Sequence, residues 1–207
     1  MSTFLAKYDV KRAMPALYAP RNPEFEFVDV PQLTYLSVDG QGDPNGELFQ
    51  RAIQSIYPVA YGVKFRSKEI LGHDYVVPPL EALWWADDPT AFVSGDRTAW
   101  RWTLLSWLPD WISQADVDET MRSLVHRGRA PEFPVTVRAI SEGLCLQMLH
   151  VGSFANEVHA LADLHDRLMP QQGLGFTGPH HEIYLSDFRK TPQESLRTVL
   201  RQPVSRE

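Results

Sequence analysis

The chain has 207 residues, 43% of them hydrophobic, and a formal net charge of −6 at pH 7. This length fits one larger domain or two tightly fused halves, with ample material for a core. The acidic balance argues against nonspecific attachment to DNA, RNA or an anionic membrane, the single cysteine excludes an internal disulfide, and no apolar stretch is long enough to span a bilayer.

MSTFLAKYDVKRAM at the N-terminus is interrupted by Lys7 and Asp9 before a long apolar run develops, so it does not read as a signal peptide. The expectation is a soluble cytoplasmic protein. Residues 1–24 carry Pro15, Pro20 and Pro23 and read as a strap laid over the domain. FEFVDVPQLTYLSVDG (25–40) is an extended segment closed by a glycine turn. Asp43-Pro44 offers an N-cap followed by proline at the first helical position. Behind it, Leu48, Phe49, Ala52, Ile53, Ile56, Val59, Ala60 and Val63 form one apolar stripe of a long helix, which Pro58 should kink or divide. Tyr57 and Tyr61, four apart, pair on this helix.

YVVPPLEALWW (75–85) reads as a strand and TAWRWTLLSWLPDW (98–111) as its antiparallel neighbour. Val117, Met121, Leu124 and Val125 mark a second helix, and the basic RSLVHRGR its solvated end. VTVRAI and LCLQMLHVG (135–152) are two further strands, with Cys145 in a core pattern and no neighbour that activates its thiol. A third helix runs through Val158, Leu161, His165 and Met169 and stops at Pro170 and Gly173. GPHHEIYLSD (178–187) is the last expected strand, and TPQESLRTVLRQ (191–202) reads as a short closing helix over about 191–201. Without regular βαβ alternation the class is α+β.

A weak repeat relates LTYLSVDG (33–40) to CLQMLHVG (145–152) and PPLEALWW to PHHEIYLS, the second alignment placing Glu81 on Glu182 and Leu83 on Tyr184. Two like halves, about 25–112 and 113–190, then pack around a pseudo-two-fold axis, and a groove between halves is a usual ligand site.

Several motifs fail on context. GLGFTG (173–178) spells a dinucleotide fingerprint but follows a helix and precedes a strand, the reverse of what the motif requires. His181-Glu182 opens like a zinc-protease helix, but Leu185 stands where the second histidine belongs, and strand alternation sends His180 and His181 to opposite faces. No metal site, cofactor motif, nucleophile elbow or Walker sequence is expected. The six tryptophans all lie between Trp84 and Trp111, with Trp100 and Trp102 on one strand face. Trp107 and Trp111 read as core; the set as a whole points to an aromatic-lined pocket, since indole N–H groups need partners. In period two, Glu182, Tyr184 and Ser186 face one way and Ile183 and Leu185 the core. Glu182 therefore faces either water or a cavity. In a cavity it is placed to pair with a ligand cation or to act as a general base.

LYAPRNPEFEFVDVPQLTYLSVDGQGDPN, YPVAYGVKF, VPPLEALWW and above all GPHHEIYLSDFRKTPQESLRTVLRQPV resemble the GyrI-like small-molecule-binding family in its stand-alone branch, over residues 17–205. The resemblance implies two fused strand–helix–strand–strand halves with pseudo-two-fold symmetry and a ligand groove between them. Related domains serve as effector modules of multidrug-sensing transcription regulators, where a central glutamate meets cationic aromatic drugs. Some stand-alone members resemble detoxifying hydrolases that open the strained ring of cyclopropane-bearing, DNA-alkylating natural products. By position, Glu182 matches the family glutamate and Trp84, Trp85, Tyr57 and Tyr61 its aromatic positions. Phe188 stands where the family's LSDPR has proline, and Pro58 where glycine is common. Two functions follow: a hydrolase with Glu182 as general base and Tyr184, or alternatively Tyr57 or Tyr61, as proton donor; or a binding protein that sequesters or senses hydrophobic or cationic aromatic molecules in a groove also lined by Trp100 and Trp102.

Overall fold

The computed structural model describes residues 7–88, 91 and 95–206; residues 1–6 of the expected strap lie outside that range. Its centre is an antiparallel sheet built from β1 (Glu26–Val30), β2 (Leu33–Gln41), β3 (Leu80–Trp85), β4 (Arg101–Leu108), β5 (Thr136–Ile140), β6 (Gly143–Val151), β7 (Leu174–Phe176), β8 (His180–Tyr184) and β9 (Arg197–Arg206). The strand order is β1-β6-β9-β8-β3-β4-β2-β5, with the short β7 added to β9. The order reads alike from both ends, so the halves meet at the β3–β8 pair. The chain is a mixed α+β fold of two such halves.

Each half also lends a strand to the other. β1 opens the first half but pairs with β6 of the second, and β5 opens the second but pairs with β2 of the first.

The long helix α3 (Glu47–Arg66) starts after Gly46, three residues later than Asp43-Pro44 predicts. Asp43 instead accepts from the Asn45 N–H at 2.9 Å, holding a turn ahead of the helix. Phe49, Ala52, Ile53, Ile56, Val59, Ala60 and Val63 bury its apolar stripe against the front of the sheet, on Leu36, Val38, Leu80, Ala82 and Leu104. Pro58 does not divide α3. Both Pro58 and Gln54, whose carbonyl is left without an i+4 donor, are on the exposed side of the helix, open to solvent. α3 runs on into a π-helical turn (Ser67–Leu71), ended by Gly72 in the left-handed region at φ 75°.

α4 (Gln114–His126) opens with a capping box between Ser113 and Asp116, and Arg66 Nε reaches Asp116 at 3.0 Å to tie it to α3. In the second half, α5 (Glu157–Ala162) also passes into a π-helical turn (Asp163–Leu168), over a core of Leu146, Leu164, Met169, Leu174 and Val204.

The expected closing helix over 191–201 does not form. Residues Gln193–Ser195 make one 3-10 turn, and Arg197–Arg206 is β9, between β6 and β8. A central strand is covered on both faces, so its sequence reads as an unbroken buried run whose period cannot be told from a helix.

The registers also correct the repeat. Ser37, aligned with Leu149, lies opposite Leu105, as Leu149 lies opposite Val199; Leu105 and Val199 in turn face Glu81 and Ile183. Glu81 is therefore equivalent to Ile183, and Glu182 to Leu80. Glu81 and Glu182 project from opposite faces, because Ala82 is the residue opposite Glu182.

The strap covers the back of the sheet with two short helices, α1 (Val10–Ala13) and α2 (Pro15–Tyr18). Val10, Leu17 and Tyr18 pack there on Tyr35, Leu83, Leu105, Trp107 and Ile183.

Candidate functional site

On the front face, β8 presents His180, Glu182 and Tyr184 in alternation, beside Trp84, Ala82 and Leu80 of β3. A cavity of about 520 Å³ opens at the Tyr184 end, walled by Ile53, Tyr57 and Tyr61 of α3, Leu80 of β3, Phe188 and the strap residue Lys11. Its rim carries Asp9, Asp187, Lys11 and Arg189, an even balance of charge, and Arg189 is clasped to Asp187.

Behind Tyr184 runs a hydrogen-bond chain. The Trp84 indole N–H donates to the Tyr184 hydroxyl at 3.2 Å, and that hydroxyl donates to Glu182 Oε2 at 2.7 Å. The indole N–H can only donate, and an ionised Glu182 can only accept, so with Glu182 ionised the chain runs from Trp84 through Tyr184 to Glu182. Glu182 does not itself line the cavity; Tyr184 stands between them. Its side chain is 14% exposed, so the carboxyl is neither in bulk water nor at the bare floor of a groove.

Burial pushes Glu182 up to about 7, even though Tyr184 and Trp84 favour its ionised form. A second carboxyl sits close by: Glu157, from the first turn of α5, is 4% exposed. Burial, and then the charge of Glu182, push Glu157 up to about 9. His180 Nε2 lies 3.7 Å from Glu182 Oε1, but burial and the neighbouring His165 and His181 hold His180 down at about 3, so it is neutral there.

The aromatic residues sort by face. Tyr57 and Tyr61 line the cavity, Tyr61 with 49% of its surface exposed. Trp84 is buried, stacked on Phe49 at 5.5 Å, and its indole N–H donates to Tyr184. Trp100 packs edge-on against Trp84 at 6.1 Å and donates to the Ala91 carbonyl at 3.3 Å. The expectation of a tryptophan-lined groove is corrected: Trp84 and Trp100 do not wall this cavity, and the two remaining candidates lie elsewhere. Trp102 is wholly buried under Phe49 and Gly40, where any Cβ on Gly40 would meet the indole at 2.0 Å. Trp85 belongs to the back face and packs with the strap core. Neither lines the groove. Trp107 and Trp111 are core residues of the back and front.

Sequence reasoning missed Glu157, which resembles any acidic residue favoured at a helix N-terminus. It also missed Phe154, whose ring meets Tyr184 edge-on at 5.7 Å while Phe188 does so at 6.2 Å. Phe188 is thus both a cavity wall and a ring neighbour of Tyr184.

His181 and Glu81 serve the back face. His181 lies 3.0 Å from Glu81 Oε2 and 2.9 Å from Glu142 Oε1, while Arg201 Nη1 reaches Glu142 Oε2 at 2.9 Å. Arg201 also donates to Gln147 and to the Leu17 carbonyl, and Tyr18 donates to Glu81 at 3.1 Å. The network bolts the strap to the sheet. Burial pushes the Cys145 thiol up to about 12, which makes it a poor nucleophile. Among the described residues no cluster of three or more His, Cys, Asp or Glu side chains is disposed to hold a metal ion, and no helix is long and apolar enough to cross a membrane.

A structure of an uncharacterised conserved protein from Listeria innocua is 40% identical, with a TM-score of 0.85, over 96% of this chain and 100% of that one. Another from the same organism, described as a hydrolase encoded by lin2189, is 38% identical with a TM-score of 0.83 and the same coverage. The C-terminal domain of EcmrR, 11% identical with a TM-score of 0.57 over 89% of this chain and 98% of that one, shares the fold alone. No match was found among curated proteins. A family model, the GyrI-like small molecule binding domain, matches residues 23–205; with nearly the whole chain matched, the protein belongs to the GyrI-like family.

Proposed function

We propose that the protein is a hydrolase for neutral, flat, apolar molecules carrying a strained ring such as a cyclopropane, bound in the cavity against Tyr57, Tyr61 and Tyr184. The observation that carries this reading is the directed chain Trp84→Tyr184→Glu182 at the cavity wall. A water held against Tyr184 gives a proton to the phenol oxygen while the phenol's own proton passes to Glu182. The water oxygen bonds to the ring carbon, a ring C–C bond breaks, and its electron pair moves into a conjugated carbonyl. Tyr57, the less exposed of the two α3 tyrosines, donates a proton to that oxygen and regains one from solvent, and Glu182 returns its proton to water. Tyr184 is spoken for by Glu182, so Tyr57 takes the donor's part. A base held near 7 suits neutral pH, and general-base help is worth roughly 10²–10⁴-fold. Two further supports are the family relative described as a hydrolase and the even charge at the rim, which gives a cationic ligand little advantage.

The test is Glu182→Gln and Tyr184→Phe against a panel of cyclopropane-bearing aromatic compounds. Product formation should fall by roughly 10²–10⁴-fold in both, while tryptophan quenching by ligand is kept. Quenching without product from the wild-type protein on every compound would make it a binder that sequesters its ligand.

A further inference from the structure

The Glu157 carboxyl is the group that the proposed chemistry leaves unused. It descends from the first turn of α5 onto β8 and β9, and its Oε1 is buried with no hydrogen-bond partner among the described residues. Glu182 lies on the adjoining strand with its proton donors in place. The groups facing the two carboxyls are Tyr184 and His180 of β8, Trp84 of β3 and Thr198 of β9, with His165 of the π-helical turn acting on His180 and His181 acting from the far face. No lysine or arginine forms an ion pair with either carboxyl among the described residues. Two adjacent buried carboxylates with no cation between them cannot both be charged. Which one keeps its proton follows from the donors: Glu182 receives an O–H directly, whereas Glu157 has one oxygen empty and only the Thr198 hydroxyl nearby.

We propose that Glu157 and Glu182 form one unit, a carboxylic acid–carboxylate pair that holds a single proton, with that proton on Glu157. This rests on the reading of Glu182 as the base and explains how a buried glutamate stays ionised without a cation. The neutral acid beside it replaces a repelling charge, and Glu157 delimits the pH range in which the pair carries one charge. The ordering of the two groups, Glu182 at about 7 and Glu157 at about 9, agrees with the geometry.

Infrared difference spectroscopy of the intact protein, titrated between pH 5 and 10, reads the acid C=O stretch without any substrate. At pH 8 the wild-type protein should show a protonated-carboxyl band, which disappears on further titration through about 9 and is missing from Glu157→Gln. An absent band in the wild type at pH 8, or the same band persisting in Glu157→Gln, overturns the proposal. Where turnover is measurable, its acid limb near 7 should stay in place in Glu157→Gln, because an amide is as uncharged as the acid it replaces. A limb displaced by a unit or more to lower pH would mean that Glu157 had been the anion, and overturns the assignment. The infrared result stands even when no compound is turned over, so failure of the pair and failure of the hydrolase reading are separable.

Discussion

Glu81 and Glu182 are both carboxylates inside strand patterns, and their surroundings give them unlike tasks. Glu81 meets His181 and Tyr18 in a sealed ionic network, whereas Glu182 stands one hydroxyl away from an open cavity. Tyr184 separates the two environments. Replacing it with Phe removes a donor that favours the ionised form of Glu182, so the Glu182 titration should move upward from about 7. Site-specific carboxyl carbon NMR on Tyr184→Phe measures that shift. The stability linkage of Glu157 has a definite sign. Its folded value, about 9, exceeds its ordinary 4.5, so the unfolded chain releases this proton first and folding is penalised progressively as pH rises from 4.5 to 9. Glu157→Gln escapes the penalty. Its stability relative to wild type should increase across that window and level off above it, as urea titrations at several pH values will read. Alternation in HHEIYLSD was enough to place Glu182 and Tyr184 on one face, away from Ile183, because period two is decided within a few residues. It was not enough for Trp85 and Trp102, since indole identity says nothing of which side of a sheet is roofed by a helix. Glu157 carries no local mark at all, as its burial comes from β8 and β9 in another part of the chain.

Elements were legible where one periodic face dominates. α3 follows its apolar stripe, and β3 and β4 pair as their sequences suggest. β9 was misread as a helix because burial on both sides erases the alternation; even Arg201 and Gln202 within it are buried. Pro58 shows that a breaker is weighed by its surroundings: with Gln54 exposed, α3 continues. Its cost to the helix remains, about 3 kcal/mol relative to Ala, partly offset by about 0.4–1 kcal/mol from the stiffer unfolded chain. Pro58→Ala should therefore stabilise the protein by about 2 kcal/mol, read as a higher urea midpoint with unchanged slope. The matching π-helical turns after α3 and α5 give the two halves one further common trait.

For the whole molecule, the back-face network sets the response to acid and base. Burial opposes charge on both Glu142 and His181. His181 and Arg201 outweigh it for Glu142, held down at about 2. Glu142 and Glu81 outweigh it, and the repelling Arg201, for His181, held up at about 9. Glu142 contributes stability above its ordinary 4.5 that is lost as pH falls toward 2. His181 contributes stability below 6.5 that is lost as pH rises through 9. With the Glu157 and Glu182 penalties also growing above 4.5, thermal midpoints should peak in mildly acidic buffer and decline toward pH 9. Glu142→Gln leaves His181 and Arg201 without their shared anion and should cost about 3–5 kcal/mol, measured by chemical denaturation. It should also loosen the strap, whose Leu17 carbonyl and Tyr18 hydroxyl hang on the same network.

The lending of β1 and β5 has a bearing on how the chain must be made. A polypeptide severed between His126 and Thr136 yields two pieces, each missing the margin that only its counterpart supplies. Expressed singly, they should stay unfolded; produced together, they should reassemble into the native sheet as a non-covalent pair.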